Sequence, residues 1–209
     1  MAQPVTNKYC TIDDVKLAAR IPQADTQDDD LLDIAVISAS RSIDGITNRH
    51  FYQSGTATRY YVPQSWLYCD IDDVAAETAT VAISSAANGV YDITLGAADI
   101  HYEPLNRRSA GLVFPATRLR MVGDYSFPTT YDGETTVRVE ANFGFATAVP
   151  TEIRQATMLL AARFYKRFDS PLGVAGIGSD LGVMRVSRTD PDIHAILQPF
   201  IHPRAIGIT

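Results

Sequence analysis

The chain has 209 residues, 46% hydrophobic and 20% charged, with a formal net charge of −6. That is the composition of a folded chain with a sizeable core, and it speaks against an intrinsically disordered one. The charge is acidic as far as residue 149 and slightly basic beyond it, which lacks the basic footprint of a broad nucleic-acid binder. Cys10 and Cys69 form no zinc-binding spacing and read as two reduced thiols. The first nine residues lack the apolar stretch of a secretory signal, and no segment reaches the length needed to span a bilayer, so the reading expects synthesis in a cytoplasm.

Thr11-Ile-Asp-Asp14 is a capping-box pattern, and the helix it opens should stop before Pro22. Thr26-Gln-Asp-Asp29 offers a second start, with Asp28, Asp29 and Asp30 loading the first turn with negative charge. The triple acid lacks the alternating ligands and central Gly of a calcium loop and is read as structural. The second helix runs to Thr47, with Asn48 as its stop. Leu32, Ala35, Val36, Ala39, Ile43 and Ile46 make its apolar face, which Leu31, Ile34 and Ile37 are expected to widen.

From Phe51 to Ala148 the period changes to two. Strands are expected over Ala57–Val62, Trp66–Asp70, Thr80–Ser84, Tyr91–Leu95, Asp99–Glu103, Arg118–Met121 and Thr136–Phe145. Asn88-Gly89 marks a turn between two of them. Pro150 to Phe168 then reads as the central helix. Pro150 suits its first position, Glu152 its positive end, and Arg163, Lys166 and Arg167 its negative end. Ala156 to Ala162 is apolar nearly all round, so this helix should be buried on several sides, and Leu160→Asp should prevent folding. A Gly-rich stretch follows, with Gly176-Ile-Gly178 in a spacing unlike a nucleotide-binding loop. Pro191 opens a short last helix whose apolar residues are Ile193, Ile196 and Leu197, with Phe200 beyond. The fold class is α+β. Residues 1–52 and the central helix 150–168 form a small helical bundle, 53–149 a β-rich insertion, and 169–209 an arm with a short docking helix.

No catalytic signature is present. His50, His101, His194 and His202 lack metal-binding spacing, no nucleophile turn occurs, and Asp70-Ile-Asp72-Asp73 reads as a solvated run. No metal, cofactor or catalytic residue is expected.

Two separated stretches carry a resemblance. Tyr9-Cys-Thr-Ile-Asp-Asp-Val-Lys, with Asp28-Asp-Asp-Leu-Leu to Ile43-Asp-Gly-Ile-Thr-Asn-Arg-His-Phe51, resembles the N-terminal helix pair of bacteriophage head-to-tail connector (adaptor) proteins. Val149-Pro-Thr-Glu-Ile-Arg-Gln-Ala156, Ala161-Ala-Arg-Phe-Tyr-Lys-Arg-Phe-Asp-Ser-Pro-Leu-Gly173 and Arg185-Val-Ser-Arg-Thr-Asp-Pro-Asp192 resemble their C-terminal helix and arm, most closely in adaptors of long-tailed phages of actinobacteria. The likeness covers about half the chain and consists of packing patterns. The β region is longer than in the minimal members.

The resemblance implies a structural virion protein at the neck. It would form a ring, dodecameric on the portal, that extends the DNA channel towards the stopper and tail proteins. Packaged double-stranded DNA would pass through the lumen without specific binding; the acidic excess of residues 1–149 leads us to expect an acidic or neutral channel wall. The residues expected to meet the portal or a neighbouring subunit are Arg163, Arg167, Arg185, Arg188, Ile193, Ile196, Leu197 and Phe200. A head-completion stopper or tail terminator is the nearest alternative. A small-ligand enzyme, marked by a deep pocket of paired acids with raised pKa values, is the alternative from another class.

Overall fold

The computed structural model describes residues 7–53, 55–76, 78–107, 113–168 and 191–202. The fold is α+β, and the chain divides into two compact units, Met1–Arg49 with Val149–Thr209, and His50–Ala148. Arg185 and Arg188 lie outside the described residues.

In the first unit, α1 (Ile12–Ala19) begins where the sequence places it. Thr11 Oγ1 accepts the Asp14 N–H, and the Asp14 carboxylate accepts the Thr11 N–H in return. Arg20, at φ 60°, closes it in the left-handed region and donates its N–H back to Leu17. The second helix, α2 (Asp29–Thr47), ends at Asn48 with φ 51°. Its start falls within a residue of the expected Asp28, but the cap is not Thr26. Asp28 holds the N-cap position without a side-chain cap bond, because its carboxylate accepts instead from the Tyr165 hydroxyl at 2.6 Å.

Leu32, Ala35, Val36 and Ala39 of α2 pack with Val15 of α1 and with Ala161 and Ala162 of α3 (Thr151–Phe168). The alanines let the helix backbones approach closely, and the buried Val and Leu side chains each contribute about 1.5–3 kcal/mol. The covering is narrower than the apolar pattern suggests. Leu31, Ile34 and Ile46 of α2 stay exposed, as does Leu159 of α3, while Met158 and Leu160 are half-buried. The physical reason is supply: α1 has only 8 residues, too few to cover the remaining sides of two long helices. The last helix, α4 (Pro191–Leu197), followed by a 3₁₀ turn (Gln198–Phe200), packs against α3 and α2. The His202 N–H closes this end on the Thr47 carbonyl at 2.8 Å.

The second unit contains all seven expected strands, their ends within two residues of those expected except that β2 runs on to Val74 instead of Asp70 and β7 stops at Asn142 instead of Phe145: β1 (Thr56–Tyr61), β2 (Tyr68–Val74), β3 (Thr80–Ile83), β4 (Ile93–Leu95), β5 (Ile100–Glu103), β6 (Ala116–Met121) and β7 (Val137–Asn142). The strands form two antiparallel sheets, ordered β1-β7-β3-β4 and β2-β6-β5. Register places Val81 opposite Val139, Ile83 opposite Val137 and Cys69 opposite Leu119. Alternate side chains of both sheets meet in one core with Ile71, Met121, Phe127 and Phe143. Side chains shield the β2 edge: Gln64 Oε1 accepts the Asp70 N–H at 2.6 Å, and the Tyr61 hydroxyl accepts the Asp72 N–H at 3.4 Å. The two ends of this unit are fastened together. The Phe145 N–H bonds the His50 carbonyl at 2.9 Å, and Phe51 stacks on Phe145 with ring centroids 5.0 Å apart.

Candidate functional site

The residues expected at an interface divide three ways. Arg167 is exposed near the end of α3 and Arg163 is half-buried one turn earlier. Ile193, Leu197 and Phe200 are buried within their own helical unit, at 5%, 0% and 2% exposure, and Ile196 is half-buried. The expected docking helix thus spends its apolar residues on the chain's own core. Spacing alone does not distinguish these uses, since the same three anchors suit either groove.

The helical unit carries an open polar cleft of about 540 Å³, with Lys8, Asp13, Asp14, Asp29, Asp33 and Arg154 on its walls. Ion pairs tie most of these charges together. Lys8 meets Asp33 at 2.5 Å, and Arg154 holds Asp14 through Nη2 at 2.5 Å and Nε at 3.0 Å. Asp29 pairs at 2.6 Å with Lys16, whose side chain is only 2% exposed. The Arg154 hydrogen bond is the main cause that lowers the Asp14 carboxyl to about 2. A carboxyl that acidic is ionised at neutral pH and has no proton to donate there. Cys10, also in the cleft wall, is pushed the other way, to about 12, by burial first and the Asp14 charge second. Its thiol is therefore a poor nucleophile at neutral pH. Tyr9, beneath the cleft, donates its hydroxyl hydrogen bond to Asp44. The cleft is held largely by these ion pairs, and at neutral pH Asp14 has no proton to give and Cys10 little thiolate to attack with. Among the described residues, no group of three or more His, Cys, Asp and Glu is placed to hold a metal ion, and no helix is long and apolar enough to cross a membrane.

Sequence reasoning missed both Lys16 and the outer side of α2. A lysine on a short amphipathic helix ordinarily reads as solvated, and nothing in the local pattern marks Lys16 as buried. Leu31 and Ile34 did carry a signal, an apolar run wider than one neighbour covers, but it was assigned to the core.

On the β unit, the outer face of the three-stranded sheet is a lattice of paired charges. Arg118 Nε lies 2.6 Å from Asp70, and the Arg118 guanidinium sits 5.4 Å from the Tyr68 ring. Arg120 meets Glu103 at 3.1 Å and the His101 Nδ1 at 3.1 Å. On the four-stranded sheet, the Tyr60 and Tyr91 rings meet at a tilt with centroids 5.4 Å apart, and Arg138 lies 5.3 Å from the Tyr91 ring. Trp66, at 65% exposure, stands in the loop whose carbonyl accepts the Phe127 N–H. Exposed Trp, Tyr and Arg are the residue types that anchor protein interfaces.

No protein-family model matches the chain, and no curated protein matches it in sequence. Solved structures do resemble it in fold. A chain in the neck of an empty gene transfer agent particle, computed with C6 symmetry, superposes with a TM-score of 0.55 at 16% identity, over 95% of this chain and 92% of that one. A chain in the virion of a native gene transfer agent particle gives 0.54 at 18% identity, over 95% and 92%. Over nearly the full length of both chains, then, this α+β fold is one that also occurs in the neck of a gene transfer agent particle.

Proposed function

We propose that the chain is a structural component of the neck of a phage-like particle: a head-to-tail adaptor that forms an oligomeric ring below the portal and extends the DNA channel towards the tail. The observation that carries this reading is the nearly complete mutual coverage with a neck chain, which takes in both the helical and the β unit. The resemblance of the two helical stretches to phage adaptors points the same way. The ion-paired cleft suits a structural part, with the Asp14 carboxyl held low and the Cys10 thiol held high. Arg163, Arg167, Arg185 and Arg188 are proposed to face the portal or a neighbouring subunit. Ile193, Leu197 and Phe200 would support that surface from beneath, as core residues. The test is to tag the chain in a particle-producing host and label purified particles with gold. Label at the head–tail junction is expected. Label confined to the capsid shell or tail tip, or absence of the chain from particles, would overturn the reading.

A further inference from the structure

We propose that one copy docks on the next through the outer sides of the two long helices, with the exposed stripe of α2 receiving the outer face of the neighbour's α3 in antiparallel orientation. The inference rests on the ring reading above and names the surface that would build it. The α2 stripe runs through Leu31, Ile34, Ser38, Gly45 and Ile46, all exposed. Among the described residues, a Cβ built on Gly45 would meet nothing within 4 Å. Nothing in the packing of the described residues therefore asks for glycine inside this helix, where it costs stability relative to alanine.

Charge selects the occupant and its direction. The α2 stripe is flanked by exposed Asp30 at its start and, three turns on, by Arg41, whose side chain is 37% exposed and already pairs with Asp44 at 3.2 Å. On α3, the positions away from the buried Ile153, Ala156 and Thr157 are Glu152, Gln155, Leu159 and Lys166, all exposed. At 1.5 Å per residue, Asp30 and Arg41 lie about 16 Å apart along their helix, and Lys166 and Glu152 about 21 Å along theirs. Antiparallel docking brings Lys166 towards Asp30 and Glu152 towards the Arg41–Asp44 pair, with Leu159 over the small-residue middle of the stripe at Ser38. Parallel docking sets Glu152 against Asp30, like charges that repel. The two patches differ, so the contact is head-to-tail, which closes a ring when the rotation allows.

The test is sedimentation velocity of the full chain across a wide concentration range, with circular dichroism to confirm folding. Ile34→Glu and Leu159→Glu change exposed residues, so folding should survive while self-association weakens at least about tenfold, the effect of losing one interface anchor. Asp30→Lys and Lys166→Glu should each weaken association, and the double swap should restore it. Wild-type association that none of these variants alters would overturn the helix pairing and leave the neck assignment standing. A chain that stays monomeric throughout overturns the pairing as well, while the gold labelling independently decides the neck assignment. Restoration by the swap is the outcome that a merely structural role for these residues would not give.

Discussion

Arg154 on α3 grips both carboxylate oxygens of Asp14 on α1, across 140 residues of sequence. The same carboxylate completes the capping box of α1. One side chain thus fixes both the start of the first helix and its attachment to the central one.

The pH consequence follows from the direction of the shift. The Asp14 carboxyl falls from an ordinary 3.8 to about 2 in the folded chain. Its contribution is complete above the unfolded value and is lost as pH drops from about 3.8 towards 2. Thermal melts at falling pH should show the wild type losing stability in that window and Asp14→Ala losing less. At neutral pH, Asp14→Ala should cost about 1 kcal/mol through the lost hydrogen bond from the Thr11 N–H alone. Equal acid sensitivity in wild type and variant would contradict this role.

The helical core should be most vulnerable at Ala161. It is 0% exposed and packs with the buried α2 residues, so Ala161→Asp places an unpaired charge in the core and should abolish cooperative unfolding. Leu160, expected from the sequence to be the critical position, is half-buried, and Leu160→Asp should fold with reduced stability. Chemical denaturation of both variants decides the order; a Leu160→Asp protein less stable than Ala161→Asp would reverse it.

Phe200 separates a core role for the last helix from a docking role. At 2% exposure, Phe200→Ala should destabilise the isolated chain by about 3–5 kcal/mol, the usual loss for a buried Phe. A variant as stable as the wild type would return the residue to the interface.

The thiols give a simpler check. Cys10 is 5% exposed and Cys69 0%, and the Cys10 thiol is raised from 9.0 to about 12. Neither should react with a disulfide reagent at pH about 8 until the chain unfolds. The protonated Cys10 contributes stability that is complete below 9.0 and fades as pH climbs towards 12. Rapid modification of the native protein would show that one of these thiols is accessible.

These residues also show what the sequence made legible. Helix limits were readable because they rest on local chemistry: Thr11 with Asp14, and Asn48 in the left-handed region. Strand number was readable for a similar reason, since β-branched runs and turn residues such as Asn88-Gly89 act within a few positions. Burial was not, because it depends on which neighbours exist. Leu31 and Ile34 carry the same periodic signal as Leu32 and Ala35, yet α1 and α3 cover only the latter pair. Ile193 and Phe200 have the pattern of a docking peptide, and only the structure shows that their own unit takes them in. Lys16 gave no warning at all, because its partner Asp29 sits on another helix.

Gly144 completes the fastening of the β unit. Its φ is +144°, and a Cβ there would stand 2.1 Å from the Tyr52 carbonyl oxygen, so Gly144→Ala forces the incoming and outgoing chain apart. The fastening also makes the β unit separable. A segment whose first and last residues are already bonded to one another, His50 to Phe145, asks little of the sequence that carries it. Such a segment is interchangeable: lengthened, recast or exchanged for another fold with adjacent ends, it leaves the joints at Arg49 and Val149 as they were. A chimera carrying a foreign domain there should still form the helical unit, which gives a direct route to grafting new surfaces onto this chain.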